Sequence, residues 1–304
     1  MSYACRIIAD SMSPDGVRLT TFEITFPRMV LAEFNTHRML SRNSASSRAI
    51  PVEKQIARVL DDPFKPIEWG KNQKGMQAEV ELELKEKIAA ESWWLQARSS
   101  AVGVARRLLE LGVHKQITNR LLEPFMWHTV ICTATEWENF FNLRCHPMAQ
   151  PEIRRIAEMM RQAYNESFPT PTVYGQWHLP LIDWDDHVDQ NIAEDDLPWV
   201  SAGRCARVSY LTHDGKRDPQ ADIDLAKRLQ VSGHMSPFEH VAMPFNSTDM
   251  RIVRDLDNQA AQWVGSDVRH SFVSRMRDSL EFDGNLRGWH QLRKALPNEA
   301  VFRG

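Results

Sequence analysis

Cysteine is scarce in this chain: four in 304 residues, at positions 5, 132, 145 and 205. None forms a C-x-x-C pair, which excludes a zinc ribbon or a thioredoxin-like site. Four thiols in so long a chain do not make a disulfide scaffold, and they read as reduced thiols of a cytoplasmic protein. No run of eighteen apolar residues occurs, so no membrane-spanning helix is expected. The first sixteen residues, MSYACRIIADSMSPDG, lack a basic start followed by an apolar stretch, so no signal peptide is expected. The formal net charge of -3 does not suit a surface that coats nucleic acid. There is no G-x-G-x-x-G after a strand, no G-x-x-x-x-G-K-S/T and no H-E-x-x-H, so a Rossmann site, a P-loop and a zincin helix are not indicated.

What is present is enough apolar residue, 42%, for a sizeable core. Phe22, Ile24 and Phe26 alternate with polar residues, as in a half-buried strand. Pro27 ends that strand and opens a helical stretch through Met29, Val30, Leu31 and Phe34. The polar run 41–47 reads as a loop or binding segment. Residues 77–111 carry the longest helical pattern, with Glu81/Lys85 and Glu83/Lys87 spaced as i,i+4 pairs and Gly112 as a stop. Further helices are expected around 119–122, over 135–143 with Trp137, Phe140 and Phe141 on one face, over 152–164, and over 223–229. Residues 206–210 read as a strand. The prolines and acidic residues of 169–200 suggest a connector, although Trp177, Trp184 and Trp199 argue that parts of it pack. This divides the chain into a core over 1–168, the connector over 169–200, and a remainder over 201–304 with a C-terminal extension.

The segment 36–48, T-H-R-M-L-S-R-N-S-A-S-S-R, holds three arginines, a histidine and four serines. Hydroxyls and backbone N–H groups in such a run cradle phosphate, and arginine adds bidentate charge-assisted contacts. A solvated polar loop is the competing reading of those residues alone. His234 and His240, with Glu239 between, have some character of a metal pair. On spacing, a capping and a packed histidine are the better reading.

The 36–48 segment resembles the signature R-H-R-x-x-S-x-N-x-x-S-x-R of the flavin-dependent thymidylate synthases, departing only at its first position. Two further blocks share the resemblance. Asn139 to Arg144, with Ala149-Gln150 and Glu152-Ile153, is similar to the family's N-F-L-N-L-R…A-Q-x-E-I segment. It follows Arg120-Leu-Leu-Glu-Pro124, which looks like the family's R-x-x-L-P helix end. Ala206-Arg-Val-Ser209 and Gly233-His-Met-Ser-Pro-Phe-Glu-His240 resemble A-R-V-S and G-H-x-S/T-P-F-E-H, blocks that precede the signature in the family but follow it here, as in a circular permutation.

The resemblance implies an α+β fold with a central antiparallel sheet and long helices in permuted order. It implies methylation of dUMP to dTMP with methylene-tetrahydrofolate as carbon donor and hydride from FAD reduced by NADPH, in a homotetramer with shared active sites. It places Thr36, His37, Arg38, Asn139, Ser209, His234, Ser236 and Glu239 at the flavin. It places Glu33, Ser44, Ser46, Ser47, Arg48, Arg120 and Arg144 at the nucleotide, with Arg144 as the catalytic contact to the pyrimidine. No metal is implied. Thr36 replaces the signature's first arginine, Glu33 stands where glutamine is usual, Ser44 where Glu or Gln is common, and Ala49 where Tyr is common. A carboxylate at 33 accepts from a cytosine amino group, which leaves dCMP methylation or hydroxymethylation as an alternative. A nucleotide-binding homologue without chemistry is a further one. Cys145-His146-Pro147 reads as a structural cysteine rather than a nucleophile. The block 284–294, G-N-L-R-G-W-H-Q-L-R-K, reads equally as a packed helix start or as a contact to folate or a neighbouring subunit.

Overall fold

The computed structural model describes residues 2–75, 77–183, 186, 192–208, 218–244 and 282–296. Its centre is a sheet built from β1 (Ala4–Met12), β2 (Arg18–Pro27), β3 (Ser41–Ser44) and β4 (Trp127–Ala134), all antiparallel in the order β3-β4-β2-β1. A two-residue strand β5 (Thr170–Pro171) adds to β1 in parallel. The architecture is therefore α+β, with helices on both faces of a mainly antiparallel sheet.

One face of the sheet is apolar. Phe22, Ile24 and Phe26 of β2 and Val130, Cys132 and Ala134 of β4 are fully buried there. Against them pack α1 (Leu31–Asn35), α5 (Glu138–Arg144) through Phe140 and Phe141, and α6 (Pro151–Glu166) through Ile153, Ile156, Ala157 and Met160. Each such side chain contributes about 1.5–3 kcal/mol on burial. Two more helices, α2 (Val52–Asp61) and α3 (Leu84–Glu110), form a second cluster with the 3₁₀ turn Asn119–Phe125, which follows the short α4 (Lys115–Thr118).

The other face is polar at its heart. His178 places Nδ1 2.8 Å from Ser11 Oγ and Nε2 2.8 Å from Thr21 Oγ1. Thr21 and Thr133 lie directly opposite in the β2–β4 ladder, with their hydroxyls 2.7 Å apart. Thr133 Oγ1 is 2.8 Å from Nδ1 of His240. All five side chains are buried. Burial pulls the pKa of His178 and of His240 down to about 3, so both are neutral. His240 Nε2 is buried without a partner among the described residues. An unpaired lone pair costs less than an unpaired N–H. The Nδ1–H of His240 therefore donates to Thr133, Thr133 to Thr21, Thr21 to His178 Nε2, and His178 Nδ1–H to Ser11. The backbone N–H of His178 also donates to the Ala242 carbonyl at 2.7 Å. This chain fastens the 236–244 region onto the sheet. Beside it, Ile131 packs on Cys205 and Val208 at the end of α7 (Leu197–Arg207), which lies against α8 (Pro219–Val231).

Several expectations are corrected. Ser41–Ser44, read as loop, is a strand held by β4. The 77–111 pattern becomes a helix only at Leu84, where Glu83 and Glu86 form a capping box, and Lys87 pairs with Glu81 rather than Glu83. The 135–143 helix begins at Glu138. Residues 206–208, read as strand, belong to a helix end; Ser209 and Tyr210 lie outside the described residues, as does Trp184. Trp177 and Trp199 do pack, around Phe238 and Met235. The 284–294 block is a hairpin, β7 (Phe282–Asp283) and β8 (Leu286–Arg287). It continues into β9 (Trp289–Gln291), paired with β6 (Ala242–Pro244), and then a short α9 (Leu292–Ala295). No helix among the described residues is long and apolar enough to cross a membrane.

Thr133→Val keeps the shape but strips the central hydroxyl from the buried chain. It should cost about 1–3 kcal/mol, because Thr21 and His240 both lose a partner. A urea midpoint equal to wild type, at unchanged m-value, would contradict the role given to this network.

Candidate nucleotide and flavin site

Strand β3 and its flanks alternate, and the alternation sorts the signature. Ser41, Asn43, Ala45 and Ser47 are buried, whereas Arg42, Ser44 and Ser46 are half-buried and Arg48 is exposed. The inward set knits to the protein. Asn43 Nδ2 donates to the Cys205 carbonyl at 2.7 Å, and Ser236 Oγ donates to Asn43 Oδ1 at 3.3 Å. Ser47 Oγ donates to Glu123 Oε1 at 3.2 Å, and Asn119 Nδ2 donates to the Ser47 carbonyl at 2.7 Å. The outward set keeps its hydroxyls and cations partly open to solvent.

Just before β3, α1 ends on Asn35, and α5 ends on Arg144 beside it. Arg144 Nε donates to His37 Nε2 at 2.8 Å, and its Nη2 reaches Thr36 Oγ1 at 3.3 Å and the Glu33 carbonyl at 3.5 Å. Thr36 Oγ1 itself donates to that carbonyl at 2.7 Å. The His37 ring stands edge-on to Phe140, 4.9 Å between centroids. Burial, then the nearby guanidinium groups of Arg144 and Arg42, pull its pKa down to about 4. His37 is thus a neutral acceptor, and no carboxylate among the described residues pairs with Arg144. Thr36, the departure from the signature, serves as a small bridge in this arrangement.

A second group lies next to the first. Arg38, Arg42 and Glu239 line an open cavity of about 410 Å³ together with Asn285, Arg293 and Lys294. Arg42 Nη1 also donates to the carbonyls of His37 (2.8 Å) and Asn35 (3.2 Å), so it joins the two groups. Arg38 has no ion-pair or hydrogen-bond partner among the described residues. This set of donors suits an anionic cofactor such as a dinucleotide.

The remaining expected residues divide as follows. Ser47 and Arg120 both meet Glu123, Arg120 Nη1 at 2.8 Å, with Arg28 on the same carboxylate at 3.2 Å. Asn139, Arg48 and His234 are exposed; His234 is bonded to Ser232, and none joins either group among the described residues. Ser236 and Glu239 do reach the signature segment, although they lie about two hundred residues away in sequence. The residues missed by sequence reasoning are Asn285, Gln291, Arg293 and Lys294. Their only signal was the basic 284–294 block, whose contacts span the length of the chain. Burial pushes the thiols of Cys132 and Cys205 upward, and that of Cys145 upward too, so none is an activated nucleophile.

The depressed pKa of His37 fixes a pH dependence. In the unfolded chain the imidazole takes a proton near its ordinary 6.5, while the folded one resists to about 4. The native state therefore loses stability as pH falls from 6.5 towards 4. His37→Gln, a non-titrating acceptor, should make the decline of the urea midpoint over that window shallower. An unchanged slope would mean that His37 is not held neutral in the folded chain by its burial and by Arg144 and Arg42.

Comparison with known proteins bears on these groups. The sequence profile described as "Thymidylate synthase complementing protein" matches residues 16–170, about half of the chain. A protein named flavin-dependent thymidylate synthase from Thermosipho melanesiensis is 32% identical over 152 residues. That alignment covers 49% of this chain, and the chain spans 64% of that relative's length. Among solved structures, a UMP/dUMP methylase from Streptomyces cacaoi bound with 5-Br dUMP shows a TM-score of 0.46 at 17% identity, covering 55% of this chain and 91% of that one. The same methylase bound with 5-Br UMP gives 0.42 at 18%, covering 55% and 90%. The profile match takes in the signature strand, Arg144 and the helices that carry them, and on it the chain belongs to the thymidylate synthase complementing protein family.

Proposed function

We propose that the chain methylates C5 of dUMP to give dTMP, with methylene-tetrahydrofolate as carbon donor and FAD, reduced by NADPH, as hydride source. The observation that carries this reading is the Arg144–His37 contact at 2.8 Å. A guanidinium oriented by a neutral imidazole keeps its full charge for a ligand. Placed at the pyrimidine edge, it stabilises negative charge that develops on the ring when N3 loses its proton. Ser46 and Arg48, on the solvent face of the signature, hold the nucleotide phosphate, with Ser44 towards the sugar. Arg38 and Arg42 hold the anionic part of the flavin, and Glu239 and Ser236 line the same side. When bound, the flavin supplies the hydride that completes the methyl group.

A homotetramer with active sites shared between subunits fits two features. Arg48 and Asn139 are exposed, without a partner among the described residues. The long α3 exposes Leu84 (73%), Ile88 (63%) and Trp93 (69%), large apolar side chains of the kind that subunits cover. The rotated order of the 206–240 blocks also fits: Ser236 meets Asn43 across 193 positions of sequence, so the displaced block stands beside the signature. We place the enzyme in the cytoplasm, with free thiols.

Purified protein should be yellow or take up FAD, and should release tritium from C5 of dUMP only with methylene-tetrahydrofolate and NADPH. Arg144→Ala should lower kcat about 100-fold or more. Colourless protein that cannot be loaded with FAD, or turnover that survives Arg144→Ala, would defeat the proposal.

One observation favours a second reading, that the base is cytosine. Glu33 Oε2 is buried without a hydrogen-bond partner among the described residues, on the residue whose backbone carbonyl lies 3.5 Å from Arg144 Nη2. A carboxylate oxygen accepts from the 4-amino group of cytosine and repels the O4 of uracil. Under this reading tritium is released from dCMP faster than from dUMP, and Glu33→Gln moves the preference towards dUMP. Release from dUMP alone would remove it.

A further inference from the structure

We propose that the C-terminal hairpin, residues 282–296, forms one wall of a binding pocket for a phosphate ester, closed on the other side by the signature segment. The hairpin lies outside the region matched by the family profile, residues 16–170. Its occupant is assigned on the reading given above, but the pocket itself rests on geometry.

The hairpin is bonded to the signature at two residues. Asn285 Nδ2 donates to the Met39 carbonyl at 2.9 Å, and Ser41 Oγ donates to Asn285 Oδ1 at 3.0 Å. Gln291 is buried behind them, and its Nε2 donates to the same Oδ1 at 2.9 Å. The hairpin is also fixed to the sheet. Trp289 is fully buried and its Nε1 donates to the Val17 carbonyl at 3.1 Å, while Arg287 N donates to Thr135 Oγ1 at 3.0 Å. The turn depends on Gly284, at φ +66°. A Cβ there would lie 2.7 Å from Gln291 Oε1 and 3.5 Å from Lys294 Cε. Gly284 thus lets the turn close tightly against the residues that define the wall.

The charge in this pocket is one-sided. Arg38 and Arg42 come from the signature, Arg293 and Lys294 from the hairpin, and Glu239 is the single carboxylate among the described lining residues. Arg293 is paired with Glu239, which holds that guanidinium at the rim. Cations that converge from two segments on an open cavity of about 410 Å³ recognise a multiply charged phosphate, not a neutral ring. The diphosphate of a dinucleotide and the monophosphate of the nucleotide substrate share this chemistry. Of the two, the diphosphate matches the pocket's position beside Arg38.

The test measures equilibrium binding of FAD, inorganic pyrophosphate and dUMP to the full-length protein and to Lys294→Ala, Lys294→Arg and Glu239→Gln. Loss of one charge-assisted contact should weaken FAD and pyrophosphate about tenfold in Lys294→Ala, with the arginine variant restoring most of it. Glu239→Gln should tighten pyrophosphate, a change of sign that misfolding does not produce. Wild-type affinities for both FAD and pyrophosphate in Lys294→Ala overturn the pocket. Weakening of dUMP in place of FAD keeps the pocket and assigns it to the substrate's phosphate. Lys294-dependent binding of pyrophosphate by a protein that takes up no FAD keeps the pocket and overturns the flavin reading instead.

Discussion

The fold depends on the hydrogen-bonded chain that crosses the sheet from Ser11 through His178, Thr21 and Thr133 to His240. A sheet with one apolar face buries it by the hydrophobic effect alone. Its second face is also buried here, and the polar side chains on that face are tolerable only if every link is satisfied. The chain comes close to that condition with two neutral histidines, leaving only the His240 Nε2 lone pair without a partner among the described residues, and it requires residue 178 and residue 240 to stand at fixed places over β2 and β4. The position of Glu239, and with it one side of the cationic cavity, follows from that requirement.

Around this anchor the site is assembled from parts distant in sequence. Arg144 closes α5, His37 follows α1, and Phe140, one turn before Arg144, supplies the apolar surface on which His37 rests. The ordinary way to orient an arginine is a carboxylate, which also spends its charge. Here an imidazole, a threonine hydroxyl and a backbone carbonyl do the orienting. That explains why Thr36 is acceptable where the signature carries arginine: a second cation at that point would face Arg144 at short range.

Some of this was legible in the sequence and some was not. Phe22, Ile24 and Phe26 announced β2 because one face of that strand is apolar. The aromatic face of α5 was equally plain. Ser41–Ser44 carried no such pattern, since its strand state comes from the ladder to β4 and its inward residues are polar. Residues 206–208 misled for the opposite reason. The helix Leu197–Arg207 is buried nearly all round, so it shows apolar runs without helical periodicity. The charge pattern from 77 onwards suggested a helix seven residues too early, because i,i+4 spacing does not mark a start and a capping box does. The signature, Arg144 and the 233–240 block were visible as motifs, but their convergence was carried by resemblance. The bonds from Asn285 to Met39 and Ser41 span about 245 positions, a separation at which local pattern has nothing to say.

The alternation along β3 has one more consequence. The odd-numbered residues of the strand and its flank are committed to Cys205, Ser236, Asn285, Asn119 and Glu123, whereas the even-numbered ones stay half-buried or exposed. On the proposed function, selection for a stable scaffold and selection for ligand preference act on separate, interleaved positions of one short segment. Such a segment can drift in specificity through residues 42, 44, 46 and 48 while the framework that holds it stays the same.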